Sequence, residues 1–129
     1  MRTTARLSAL AFGTAIAVAG LGATAAHAAS PTVVRTHGTC SASSTWKMKL
    51  KVQDVTHLQS EFEVQAPVAG QAWTVRITDN GAPIFSGRRT AGPSFTVRKV
   101  SPNQAGVDAV TAVATNTVTG EVCTGKASL

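Results

Sequence analysis

The 129-residue sequence is poor in aromatic residues, with no tyrosine, two tryptophans and four phenylalanines. That number gives little support to an extended platform on which sugar rings could stack. Acidic residues are also scarce, with six Asp and Glu against twelve Lys and Arg and a formal net charge of +6. This excess falls well short of the dense positive stripe of a dedicated nucleic-acid-binding protein. Composition therefore favours neither a carbohydrate platform nor a nucleic-acid reader.

The chain also lacks the local motifs of common catalytic and metal sites. There is no G-x-S-x-G elbow, no glycine-rich phosphate loop and no clustered set of His, Asp and Glu. Ser41, Asp54 and His57 supply the residue types of a triad, but the last two share a hairpin loop in which polar residues are expected. Glu61 and Glu63 face lysines in the predicted hairpin, which favours ionised carboxylates over a glycosidase acid. We therefore predict no catalytic residue, no cofactor and no metal.

The first 28 residues have the order of a cleavable secretory signal peptide. Two arginines precede an apolar run over 7–21, and small residues at Ala26 and Ala28 lie at the expected cleavage point. The run is too short and too rich in Gly and Thr for an ordinary spanning helix, so no stable membrane anchor is expected. Cleavage leaves a short extension over 29–36 and one domain over 37–129, with ten Lys and Arg, six Asp and Glu and a net charge of +4. The sequence thus predicts a secreted protein.

Two cysteines, Cys40 and Cys123, fall in the predicted mature part. In an oxidising compartment an even pair predicts one disulfide, here tying the first strand to the last across 83 residues. It would clasp the ends of the domain instead of forming the usual inter-sheet bridge of antibody domains. An alternative uses His37 and Cys40, spaced H-x-x-C, as half of a metal site, but its further ligands would have to be His57 and the distant Cys123.

Two neighbouring segments alternate between apolar and polar residues, the period of two that predicts a strand with one buried face. They run over 46–52 and 58–66, and the five residues between them have the length of a hairpin loop. With the hairpin centred on Val55, one register suits both faces, because it pairs Lys49 with Glu61, Lys47 with Glu63, Met48 with Phe62 and Trp46 with Val64. A one-residue slip would bury the charges, so the register is predicted together with the pairing.

The rest of the mature chain repeats short strand patterns between turn signals. Asn80-Gly81 is the strongest, because both residues tolerate the positive φ of a two-residue hairpin turn. Breaks over 67–70, 91–93 and 101–106 separate the other strands. Seven or eight short strands at this spacing predict an all-β fold, an antiparallel two-sheet sandwich of immunoglobulin or fibronectin type. A small closed barrel is the alternative.

Four stretches carry a resemblance to known proteins: C-S-A-S-S-T-W-K-M-K at 40–49, E-F-E-V at 61–64, G-Q-A-W at 70–73 and T-G-E-V-C at 119–123. Together they resemble small secreted actinobacterial proteins with an immunoglobulin-like sandwich, over about Cys40 to Leu129. The resemblance implies that fold and export, and the Ala- and Gly-rich leader suits an actinobacterial origin. It implies no activity, because the matching residues are core aromatics, turns and cysteines.

Five cations have no evident local acid: Arg76, Arg88, Arg89, Arg98 and Lys99. The pairs at 88–89 and 98–99 are expected on hairpin neighbours across the break at 91–93, which would crowd several positive charges together. One interpretation is a solvated edge that resists aggregation. The other is a contact for an anionic polymer such as teichoic acid, acidic polysaccharide or extracellular DNA. Alternation places Arg88 and Arg89 on opposite faces, which weakens the second interpretation.

The two tryptophans, Trp46 and Trp73, fall on the apolar side of their alternation and are predicted to lie in the core. The sequence therefore predicts a non-enzymatic extracellular binding or interaction module, whose partner is a cell-wall or other anionic polymer or another secreted protein. An extracellular protease inhibitor is the alternative, with the loop over 101–106 as its contact, although the subtilisin-inhibitor pattern has four cysteines. A small secreted enzyme is the third class.

Overall fold

The computed structural model describes Gly22 and residues 32–129, so the predicted signal peptide and the first part of the predicted extension lie outside the described residues. The regular structure of the described chain is entirely β, and this part of the chain contains no helix long and apolar enough to cross a membrane. Its strands are β1 Val33–Thr39, β2 Thr45–Val52, β3 His57–Gln65, β4 Ala72–Asp79, β5 Ala82–Thr90, β6 Ser94–Pro102, β7 Ala109–Asn116 and β8 Val122–Ser128.

The eight strands of the described chain form two antiparallel sheets of four. Sheet A has the order β1-β2-β3-β6 and sheet B the order β5-β4-β7-β8. Along most strands buried and exposed residues alternate, so each sheet presents one apolar face to the other. The fold is thus the predicted all-β, two-sheet sandwich.

Two hairpins have the register or turn that their sequences predict. In β2 and β3 the partners are those of the hairpin centred on Val55, including Lys49 with Glu61 and Met48 with Phe62. In the turn between β4 and β5, Asn80 and Gly81 have φ of 47° and 83°. The first strand begins at Val33, inside the segment assigned to an extension, because β1 pairs with β2 along its whole length.

The expected hairpin between β5 and β6 is wrong. β5 pairs with β4 in sheet B, whereas β6 pairs with β3 in sheet A. The break over 91–93 therefore carries the chain from one sheet to the other instead of turning it back beside itself. The cations of the two strands consequently do not face each other across a hairpin.

The core consists of the inward-facing side chains of both sheets, as their alternation predicts. Trp73, Phe62, Leu50, Leu58 and Ile77 are completely buried. Trp46 is partly buried and packs against this core, with its ring centroid 6.4 Å from that of Phe62. Both tryptophans are therefore core residues, as predicted.

The disulfide between Cys40 and Cys123 is present and ties the first strand to the last. Cys40 follows β1 in sheet A and Cys123 lies in β8 of sheet B, so the bridge also joins the two sheets. The expectation of a clasp between the ends is confirmed. The link between sheets differs from the sequence interpretation, because the sequence does not reveal that β1 and β8 lie in different sheets.

Gly125 of β8 sits against the aromatic part of the core. A Cβ there would lie 2.7 Å from Cε2 of Phe62 and 3.0 Å from Cε3 of Trp46. Gly125→Ala is therefore expected to lower the free energy of unfolding by about 1–3 kcal/mol through overpacking, measured by urea denaturation. Gly92→Ala is the control, because its Cβ would meet only the backbone oxygen of Ser94 at 3.9 Å. Equal midpoints for the two variants would contradict the expected clash.

Candidate anion-binding face

Burial separates the acidic residues of the domain from its cations. Three of the six acids in the described chain are buried: Asp79, Asp108 and Glu121. None of its ten Lys and Arg residues is buried. The surface therefore presents ten cations against three partly or fully exposed acids, Asp54, Glu61 and Glu63. The surface is more basic than the net charge of the domain indicates.

The five cations singled out from the sequence divide among three places. Arg98 lies on the outer face of sheet A, and Arg76 and Arg88 lie on the outer face of sheet B. Arg89 and Lys99 meet where β5 and β6 adjoin, over the ring of Phe85, with Arg89 Cζ at 4.9 Å and Lys99 Nζ at 5.9 Å from its centroid. These five residues therefore do not form one patch.

The densest positive charge lies instead on the outer face of sheet A, which we call the basic face. It carries five Lys and Arg, one histidine and two acids: Arg35, His37, Lys47, Lys49, Lys51, Arg98, Glu61 and Glu63. One row across the sheet pairs Arg35 with Lys49, Lys49 with Glu61 and Glu61 with Arg98. Arg35 and Lys49 are direct cross-strand partners, and like charges in that position destabilise a sheet.

Glu61 is the electrostatic centre of this row. Its Oε2 accepts hydrogen bonds from Arg98 Nη2 at 2.7 Å and Nε at 3.0 Å, and Lys49 Nζ lies 3.4 Å from the same oxygen. The Arg98 hydrogen bonds, with help from Lys49, hold the pKa of Glu61 below its usual range. One carboxylate thus serves two cations, and Arg35 in the same row has no ion pair within the described chain.

The second row of the basic face is less compensated than its register suggests. Lys47 lies opposite Glu63, as predicted, but the described residues contain no ion pair between them. Glu63 Oε1 accepts a hydrogen bond from Gln65 Nε2 at 3.0 Å instead. His37 is the cross-strand partner of Lys47 on its other side. Lys47 is therefore available to an anion.

The basic face also has a depression that a ligand group could enter. Its volume is about 300 Å³, and it is lined by side chains of β1, β2 and β3: Arg35, Thr36, His37, Lys47, Met48, Lys49, Glu61 and Glu63. Two acids lie at one side and the cations of β1 and β2 at the other. The arrangement suits an anionic group beside β1, away from Glu61.

The outer face of sheet B has a weaker version of the same features. Arg76 and Arg88 line a depression of about 460 Å³ together with small hydroxyl residues such as Thr74 and Ser86. Lys126 lies on the same face in β8. Three cations over four strands are a sparser array than the basic face, and they make this face a natural reference for charge effects.

The residues of a possible triad are separated by the fold. Ser41 lies near the disulfide, where its Oγ accepts a hydrogen bond from the Val122 N–H at 2.9 Å. Asp54 lies in the β2–β3 turn and His57 is the first residue of β3, at the opposite end of β2 from Ser41, with His57 Nδ1 2.8 Å from Asp54 Oδ1. Hydrogen bonds from Thr56, then from His57, lower the pKa of Asp54 to about 2. This set therefore forms no Ser-His-Asp triad.

The predicted inhibitor loop over 101–106 is anchored to the sandwich at Ser101 and Asn103. Ser101 is buried and the Asn103 N–H donates to Thr56 O at 2.8 Å, whereas Pro102 and residues 104–106 are exposed. In the described residues no group of three or more His, Cys, Asp or Glu is placed to share a metal ion. Cys40, one half of the alternative metal site, is instead oxidised in the disulfide.

Sequence reasoning missed Arg35 as a site residue, because it falls in the segment assigned to an extension. The signal that could have revealed it is a strand over 33–39, because only a strand there makes Arg35 the cross-strand partner of Lys49. Lys47 was discounted because its register partner is an acid, although no ion pair forms between the described side chains. Comparison with protein-family models, curated proteins and solved structures found no match to this chain.

Proposed function

We propose that this protein is an exported, non-enzymatic binding module of immunoglobulin-like type, resembling small actinobacterial secreted proteins, whose basic face contacts an anionic extracellular polymer. Teichoic acid, acidic polysaccharide and extracellular DNA share the repeated negative charge that such a face would bind. The disulfide is compatible with an oxidising compartment outside the cytoplasm.

The observation that carries the proposal is the uncompensated charge of the basic face. Arg35 lies directly opposite Lys49, and like charges in that position cost stability. The chain buries three of its six acids although exposed acids on this face would relieve the repulsion. A polymer with repeated anions would supply that compensation from outside, and release of its counterions would favour binding.

Spacing along β2 supports a polymer over a single anion. Lys47, Lys49 and Lys51 alternate outward along one strand, so successive ammonium groups start about 7 Å apart. Across the strands, Arg35 adds a fourth cation beside Lys49 and has no ion pair within the described chain. A chain with evenly repeated phosphate, sulfate or carboxylate groups can contact several of these cations at once.

The test compares two triple variants that remove the same charge from opposite faces. Arg35→Gln, Lys47→Gln and Lys51→Gln together are expected to weaken binding to immobilised wall teichoic acid about tenfold, and to reduce the salt dependence of binding by about three released counterions. Arg76→Gln, Arg88→Gln and Lys126→Gln together serve as the control and are expected to change affinity less than about threefold. Affinity is measured against salt concentration for both.

Two results would contradict the proposal. Equal losses in the two triple variants would show that net charge alone governs retention, without a defined face. The second is that the unmodified protein is not retained at low salt on teichoic acid, acidic polysaccharide or a DNA duplex. That result would exclude an anionic polymer as the partner.

A further inference from the structure

Two buried aspartates lie together at the end of the sandwich where the β4–β5 turn meets the loop before β7. Asp79 and Asp108 are each 1 % exposed. Asp79 Oδ2 accepts a hydrogen bond from Ser101 Oγ at 3.3 Å, and Asp108 Oδ1 accepts one from the Gln104 N–H at 3.3 Å. Both contacts are long for hydrogen bonds to a carboxylate. Asp79 Oδ1 is buried and has no hydrogen-bond partner.

The other acids of the described chain are compensated, which makes this pair exceptional. Glu61 binds Arg98 and Lys49, and Asp54 contacts His57 and Thr56. Glu121 accepts three hydrogen bonds at 2.6–3.0 Å, and Glu63 accepts one. No lysine, arginine or histidine of the described residues pairs with Asp79 or Asp108. Burying carboxylates with so little compensation is costly, so the pair favours a positively charged partner, either a proton or a cation.

We propose that Asp79 and Asp108 form the centre of a divalent-cation site of the calcium class. The ligand atoms that the structure places at the pair are all oxygens, namely those of the two carboxylates and of the Ser101 hydroxyl. Oxygen-only sets select hard cations, and the flexible coordination of Ca²⁺ accepts carboxylate, hydroxyl, carbonyl and water ligands together. One such ion neutralises both aspartates and gives Asp79 Oδ1 a partner.

The loop beside the pair is held in a fixed position by Asn80, which favours a preformed site. Asn80 Nδ2 donates to Gln104 Oε1 at 2.9 Å and to Val107 O at 3.0 Å. Asn80 Oδ1 accepts the Ala109 N–H at 2.9 Å. These bonds tie the β4–β5 turn to both sides of Asp108, so the two aspartates cannot separate without breaking them. The site is independent of the basic face and of the proposed polymer binding.

The experiment measures the melting temperature of the oxidised protein in 5 mM CaCl₂, in EDTA and in NaCl of matched ionic strength. Calcium is expected to raise the Tm by about 5 °C relative to EDTA, while NaCl leaves it unchanged within about 1 °C. Asp79→Asn and Asp108→Asn are expected to abolish the response, and both should fold because each removes the repulsion within the pair. Asp54→Asn, which removes an exposed acid outside the pair, is expected to keep the full response.

Three outcomes would overturn the site. The unmodified protein melts at the same temperature in CaCl₂ and EDTA, or it responds equally to matched NaCl, or Asp79→Asn retains the calcium response. If the Asn variants have a higher Tm in EDTA and calcium does not change the Tm of the unmodified protein, the pair is compensated by a proton and no cation binds.

Discussion

Replacing Cys40 and Cys123 together by alanine is expected to lower the free energy of unfolding by about 4 kcal/mol. The bridge closes 83 residues of sequence separation, and a loop of that length strongly restricts the unfolded chain. A domain of about 100 residues is stable by only about 5–15 kcal/mol, so this loss is a large fraction of the total. The bridge also joins the two sheets, so its removal frees the end of β1 in sheet A from β8 in sheet B.

Urea denaturation of the oxidised protein, the reduced protein and the double alanine variant measures the effect. The reduced protein and the variant are expected to share one low midpoint, because both lack the same constraint. A midpoint for the variant within experimental error of the oxidised protein would contradict this account. A larger m-value without the bridge is expected as well, since the unfolded chain then exposes more surface.

Replacing Glu121 by alanine is expected to cost about 3 kcal/mol, because it removes a buried carboxylate that holds the β1–β2 turn. Glu121 Oε2 accepts the N–H groups of Ala42 at 3.0 Å and Ser44 at 2.9 Å, and Oε1 accepts Ser44 Oγ at 2.6 Å. Ser44 is 1 % exposed, so its N–H and hydroxyl would lose their partner without gaining water. The same turn bonds to β8 through Ser41, beside the disulfide.

Glu121→Gln is the matched control, since its amide keeps the shape of the side chain. The carbonyl can replace Oε2 as the acceptor, and the amino group can donate to Ser44 Oγ in place of Oε1. The expected cost is therefore only about 1 kcal/mol, the charge-assisted part of the network. Equal losses for the alanine and glutamine variants would show that the hydrogen bonds contribute nothing.

The unmodified protein and Glu121→Gln are also expected to differ in how their stability depends on pH. Burial raises the pKa of Glu121, but the Ser44 and Ala42 hydrogen bonds outweigh it and hold the pKa below its ordinary value of 4.5. The stabilisation is therefore complete above that value and is lost as the pH falls through the lower pKa of the folded protein. The difference in stability between the unmodified protein and Glu121→Gln should shrink in that acidic range, as thermal unfolding measured against pH would show.

The β2–β3 hairpin was predictable because two independent patterns agree there. The alternation of Met48 and Leu50 with lysines, and of Phe62 and Val64 with glutamates, admits one register that keeps every charge outside. Asn80 and Gly81 fixed the next turn through their tolerance of positive φ. Local periodicity and turn chemistry therefore suffice for hairpins whose strands are adjacent in sequence.

The crossing of the chain between β5 and β6 was not predictable in this way. Gly92 and Pro93 end a strand equally well whether the next strand pairs beside it or enters the opposite sheet. The choice depends on which edge completes the core, which is a property of the whole domain. The expected crowding of the cations of β5 and β6 depended on that hairpin, and the two strands instead belong to different sheets.

Asp79 is the opposite case, because the sequence contains a signal for its burial that the polarity of an aspartate contradicts. Trp73, Val75 and Ile77 alternate inward, and Asp79 continues the same phase. Continuing the alternation through the aspartate would have placed it inside. The structure shows that it is buried and that its pKa is raised, by burial first and then by the neighbouring Asp108.

The position of the disulfide has a mechanical consequence. Cys40 lies just after the first strand, and Cys123 lies one residue into the last. A pulling force applied through the two ends of the described domain would be carried from β1 to β8 through the disulfide bond. The 82 residues between the cysteines would be shielded from the load, and only β1 and the remainder of β8 would peel away and extend. In the oxidised state the domain would behave as a nearly inextensible link, and in the reduced state as a long spring.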